Sequence, residues 1–311
     1  MENNKLINRV QDLGALIALV LLVVVISFIS PEFRTVDNFL SLLRQSSING
    51  LIAFGMTCVI LTGGIDLSVG SVLALTTAIC ASLIVKGTPV ALAMIIALVI
   101  GVVFGAISGI FVTKGRLQPF IATLITMTVF RGATMIFMDG KPISNLGSSF
   151  LLKFLGKGAI LGIPLPVILF IIIFAIFMFA LEKTTFGRRI YATGSNWKSA
   201  KLAGVNIDRT KIAAYAISGL MSAMAGLILL SRLNSAQPTL GTGYELDAIA
   251  AVALGGVSMN GGRGRIWGTF VGVLIIAVLN NGLNILGVSS YYQDVVKGLV
   301  ILIAVLSDRK R

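Results

Sequence analysis

The chain has 311 residues, 56% of them hydrophobic and 12% charged, and its mean hydropathy is +0.98. A soluble domain is about 45–50% apolar and about 25% charged, so the composition excludes a soluble globular protein. It predicts one all-α, polytopic membrane domain over residues 1–311. The formal net charge is +13, but the basic residues sit at the ends of apolar segments. That distribution reads as membrane topology, not as a nucleic-acid-binding patch.

The chain has no histidine, which removes imidazole catalysis and the commonest metal ligand. Cys58 and Cys80 lie in apolar runs, so no disulfide framework is expected. No G-x-x-x-x-G-K-[ST] stretch is present to cradle nucleotide phosphates, and no nucleophile–base pair or metal cluster is visible. The chain is therefore expected to have no catalytic residues, no metal and no cofactor of its own. Any ATP and Mg would be held by a partner.

Apolar runs long enough to cross a bilayer need about 17–25 residues. The first is Leu13–Ser30, closed by Pro31. Lys5 and Arg9 before it imitate a signal peptide, but no small-x-small cleavage site follows, so a retained helix is expected. The second run is Ser47–Leu61, starting near Phe39. Next come Leu67–Val85, Val90–Thr113, Gln118–Met138 and Leu161–Leu181. After a long polar stretch follow Ile212–Ser231, Ile266–Leu286 and Val288–Leu306.

The short apolar segment Glu245–Asn260 either crosses or dips in and returns. If it crosses, there are about ten spans with both termini cytoplasmic. Lys5, Arg9, Lys114, Arg116, Arg263, Arg265, Arg309, Lys310, Arg311 and the long polar stretch then face inside. Arg34, Lys86, Lys141, Lys153 and Lys157 face outside. That asymmetry obeys the positive-inside rule, and a non-crossing segment would spoil it.

The polar stretch is 182–211. It carries seven of the 25 basic residues, and an ordinary connection would be far shorter. Ala200, Ala203 and Gly204 are spaced to give a short helix a small, flat face. Two readings stay open: a solvated connector that fixes topology, or a docking surface for a cytosolic partner.

The sequence also repeats. Gly64–Leu75 aligns without a gap on Gly243–Leu254, with Gly, Leu, Ala and Leu identical and Asp66 falling on Glu245. The pair Gly101 and Gly105 corresponds to Gly268 and Gly272. An offset of five spans makes the repeat inverted, as in many transporters. Gly101, Gly105 and Gly109 otherwise read as close helix packing.

Asp66, Glu245 and Asp247 stand beside glycine-rich breaks and open apolar helices. A carboxylate there caps free N–H groups or faces a polar path, since irregular backbone at membrane depth needs protein or water around it. Asn280 and Asn284 share a helix face. They either tie helices together or line a path for a hydroxylated solute. Ser68 belongs to the same candidate path, and Gln118 and Gln293 are weaker candidates.

The runs Leu61–Gly70, Ser235–Ala251 and Leu279–Tyr292 closely resemble the ribose permease of bacterial ABC importers, a family that also holds arabinose, xylose, galactose and autoinducer-2 permeases. The likeness extends from about Ser46 to Leu306. It implies the ABC importer permease fold and a permease homodimer in the bacterial cytoplasmic (inner) membrane. It also implies an ABC ATPase subunit, a periplasmic or lipid-anchored sugar-binding protein and a monosaccharide substrate. In that family the cytoplasmic loop contains Gly187, Arg188, Tyr191, Ala192, Gly194 and Asn196, then Ala200, Ala203 and Gly204. It is similar to the helix that couples the permease to its ATPase, with Arg189 adding a second positive charge. The resemblance gives no firm list of sugar contacts. The loops at Asp139–Ile160 and Asn234–Tyr244 are the expected docking surface for the binding protein. The competing expectation is an ion-coupled secondary sugar transporter.

Overall fold

The computed structural model describes the backbone of residues 2–309 and the side chains of 14–303 and Leu306. The side chains of Lys5, Arg9 and Arg309, and all of Lys310 and Arg311, lie outside the described residues.

Helix α1, Glu2–Ile29, ends one residue before the Ser30–Pro31 step. Pro31 opens a 3-10 turn, Pro31–Arg34. The Thr35 hydroxyl caps α2, Val36–Leu61, by accepting from the Asn38 N–H at 3.3 Å. The second span therefore starts earlier than its apolar run. Residues 62–68 form a non-helical break before α3, Val69–Val85. Helix α4 is Val90–Thr113, and α5, Pro119–Phe137, begins on a proline, whose missing N–H costs nothing at that position.

Outside these helices the chain makes strand β1, Ile143–Ser144, helix α6, Phe150–Lys157, and a small hairpin of β2, Ala159–Ile160, and β3, Ile163–Pro164. Helix α7 is Leu165–Lys183. The polar stretch folds as two short helices, α8, Thr185–Ser195, and α9, Trp197–Leu202. The chain continues with α10, Ile207–Leu233, strand β4, Ser235–Ala236, α11, Tyr244–Leu254, α12, Ile266–Ile285, and α13, Ser290–Arg309.

The centre of the bundle is α2, buried without interruption from Ser46 to Leu61, packed on α10 and α12. Helices α4 and α7 are more apolar than α10 and α12, and with α5 they bury far less of their surface, as peripheral helices facing lipid do. Among the described residues, five helices are long and apolar enough by themselves to cross a membrane: α4, α5, α7, α10 and α12.

Two seams hold the bundle. Glycines at 101, 105 and 109 let α4 lie against Gly219, Tyr215 and Ile212 of α10. Phe54 stacks on Phe170 at 5.1 Å, Phe170 stacks on Phe270 at 5.3 Å, and Phe174 and Trp267 close the cluster. These rings join α2, α7 and α12. The pair Gly268 and Gly272 meets α11, at Gly255 and Ala251, rather than α2. The two glycine pairs matched in sequence thus serve different neighbours. Cys58 and Cys80 are both buried and free.

Candidate functional site

The break between α2 and α3 is organised by Asp66. Its Oδ1 accepts from the Ser68 backbone N–H at 3.0 Å and the Ser68 hydroxyl at 2.6 Å. Its Oδ2 accepts from Ser218 of α10 at 2.8 Å. The preceding carbonyl, of Ile65, accepts from Tyr215 and Thr123, each at 3.2 Å. Ser68 lies 3.5 Å from Ser108 of α4, which donates to Thr126 of α5 at 3.0 Å. Asp66 is fully buried, and both its oxygens are occupied by the protein itself. It works as a local cap and as a tie to α10.

The second break, before α11, is held differently. Glu245 Oε1 accepts from the Gly243 N–H at 3.3 Å. Arg131 of α5 donates to the carbonyls of Pro238 and Leu240, each at 2.9 Å. A guanidinium inside a bundle needs such acceptors. Gly70 lies so close to Gly241 that any side chain there would strike its carbonyl.

Asp247, 5% exposed, sits two residues further on, still in the first turn of α11. Its Oδ1 pairs with Lys297 of α13 at 3.1 Å, and its Oδ2 accepts from Asn49 of α2 and Asn280 of α12, each at 3.4 Å. The sequence pointed to Asp247 and Asn280 but not to Asn49 or Lys297, whose polarity inside apolar spans was the available signal. Asn284 does not join this cluster. It is exposed and accepts from Gln293, in the first turn of α13, at 3.0 Å. Asn281 pairs reciprocally with Asn38 of α2 at 2.8 and 3.1 Å. The Asn280–Asn284 run is thus divided between three jobs.

At the other end of the bundle, α8 packs its small residues inward. Gly187 lies against the backbone of Leu181, and Gly194 against the Leu61 carbonyl and the Gly262 amide. The Gly262 N–H donates to that same Leu61 carbonyl at 2.9 Å. Tyr191 donates to the Gly264 carbonyl at 2.9 Å. Burial pushes the Tyr191 phenol up to about 12, so this donor stays protonated through the physiological range. The end of α2, the α11–α12 loop and α8 meet at one point.

Arg188 and Arg189 face solvent, and Ala192 is half-buried. Asn196 accepts from the Ser199 N–H at 3.1 Å and starts α9. The expected flat face of Ala200, Ala203 and Gly204 is not formed as one surface. Ala200 is buried, Ala203 caps α9, and Gly204 ends it at φ +83°. What α9 presents outward is Leu202, 91% exposed, Trp197, 53% exposed, and Lys198 and Lys201 between them.

Residues 38–305 match the family model described as branched-chain amino acid transport system / permease component. The chain is 58% identical to the ribose import permease protein of Bacillus subtilis over 97% of this chain and 94% of that one. It is 53% identical to the ribose import permease protein of Haemophilus influenzae, over 94% and 91%. It is 50% identical to that of Escherichia coli K12, over 96% and 93%. No solved structure matches. The expected family is the one found: with a match over nearly its whole length, this chain belongs to the permease components of the branched-chain amino acid transport system type, beside the ribose import permeases.

Proposed function

We propose that this protein is the membrane permease of an ATP-driven importer that carries ribose across the cytoplasmic membrane of a bacterium. The observation that carries the reading is the end-to-end likeness to ribose import permeases. The bundle supports it with polar clusters buried between its helices and with α8 and α9, which expose Arg188, Arg189, Trp197 and Leu202 together. The chain supplies the passage, and a separate ABC ATPase binds ATP and Mg and supplies the force.

Ten spans with both termini in the cytoplasm put α8 and α9 inside the cell. There Leu202 and Trp197 enter a cleft of the ATPase while Arg188 and Arg189 meet its acidic groups. The contacts of Gly194 and Tyr191 carry the displacement to the end of α2 and the α11–α12 loop. On the outer side, Ile143 of β1 pairs with Ala236 of β4, so the two loops expected to receive the binding protein form one surface. A second copy completes the passage. The packing supports an inverted repeat: α4 lies on α10 as α12 lies on α2, and α3 lies on α5 as α11 lies on α13.

Reconstitution tests the reading. Liposomes holding the permease, its ATPase and the binding protein take up labelled ribose only with ATP. Accumulation by the permease alone, abolished by a protonophore, would establish an ion-coupled carrier instead.

A further inference from the structure

Two polar hubs lie in the bundle, and they differ in what they leave unpaired. In the first, Asp66 and Ser68 before α3 reach Ser218 of α10, Ser108 of α4 and Thr126 of α5, and every carboxylate and hydroxyl oxygen has a partner. In the second, Asp247 of α11 reaches Asn49 of α2, Asn280 of α12 and Lys297 of α13. The second hub joins the helices that the repeat pairs with the first, but its polar groups are not used up.

An ionised carboxylate only accepts hydrogen bonds. Asn49 and Asn280 must therefore both turn their NH2 groups toward Asp247. Their carbonyl oxygens then point elsewhere, buried and without a donor, and Asn49 is only 6% exposed. Native proteins rarely leave such acceptors empty without a use for them. Lys297 has three donors, and its ion-pair partners are Asp247 at 3.1 Å and Asp294 at 3.9 Å. Its side chain is 20% exposed. In a membrane span that opening faces a polar path or a protein, not lipid.

We propose that Asn49, Asp247, Asn280 and Lys297 form a station that recognises sugar hydroxyls during passage. This rests on the ribose-permease reading. Each hydroxyl both donates and accepts. The Asn49 and Asn280 oxygens are closed off in this state; once the helices part during passage, two hydroxyls donate to them and one accepts from Lys297. The Asp247–Lys297 pair cancels its own charge, so the station suits a neutral solute. It offers few bonds, which lets the sugar leave as well as enter.

The complete complex in liposomes provides the test, with labelled ribose uptake and ATP hydrolysis measured together. Asn49→Ala and Asn280→Ala should each lower ribose carried per ATP about ten-fold, as loss of one buried hydrogen bond to a ligand does. Discrimination between ribose and 2-deoxyribose should weaken in both. Asn281→Ala, outside the hub, should keep the normal ratio. If uptake per ATP and sugar discrimination stay normal in Asn49→Ala and Asn280→Ala, the station is absent. It is equally absent if both variants lose uptake and hydrolysis in the same proportion. Should Asn49→Ala fail to insert, Asn280→Ala and Asn280→Gln decide by the same ratio, Gln restoring part of it. Failure of the unaltered complex to carry ribose would defeat the functional reading instead, before any variant is compared.

Discussion

Three side chains show how one residue can fix a longer piece of chain. Asp66 joins the α2–α3 break to α10 through Ser218, so Asp66→Ala should cost about 2–4 kcal/mol and lower the melting temperature of the purified protein in detergent. Arg131 holds the loop before α11 by two carbonyls, and Lys cannot present the same planar fork. Tyr191→Phe removes the bond to Gly264 and should cost about 1 kcal/mol. That loss carries a pH signature. The phenol is held at about 12 in the fold against a usual 10. The stabilising difference between wild type and Tyr191→Phe is therefore full below about pH 10. It declines as pH rises toward 12, because the unfolded phenol ionises first. Melting curves of both proteins between pH 8 and 11 would check the sign.

At the scale of elements, the seam between α4 and α10 depends on absent side chains. Gly219 approaches Gly101 and Gly105 so closely that Gly219→Leu should prevent α10 from seating, leaving protein that aggregates on extraction. Gly132, in exposed α5 with open space around it, is the contrast: Gly132→Ala should stabilise by about 0.5–1 kcal/mol. The glycine seam was visible in the sequence because G-x-x-x-G leaves a regular trace. The Phe54–Phe170–Phe270 cluster was not, because aromatic residues in apolar helices have no spacing that separates core from lipid-facing positions. Nor could spacing show that Ala200 turns inward while Leu202 turns out. A helix as short as α9 takes its orientation from its ends, here Asn196 and Gly204. Leu202→Asp should therefore abolish ATP-driven uptake while leaving protein yield unchanged, measured together with co-purification of the ATPase.

Across the whole molecule, composition and charge were enough to predict a polytopic helical bundle, and hydropathy located the apolar part of each long helix, although α1 and α2 each begin eleven residues before their apolar runs. The polar clusters were only half legible. Asp247 stands beside a glycine-rich break and Asn280 shares a helix face with Asn284, and both patterns draw attention, whereas Asn49 and Lys297 gain meaning only when four helices converge. Sidedness is directly testable. Lys153→Cys should react with a membrane-impermeant thiol reagent on intact cells, and Lys201→Cys only after the membrane is opened; the reverse pattern would invert the topology.

The late position of α10 in the chain has a further consequence for how cells make this protein. Its glycine groove on α4 is synthesised about 110 residues before the helix that fills it. At bacterial elongation rates that gap lasts roughly 5–20 s. During that time the early spans sit in the bilayer with an open, sticky furrow. A ribosome stalled before residue 207 would leave a fragment with no means of closing it, and such a fragment should be a ready substrate for membrane proteases.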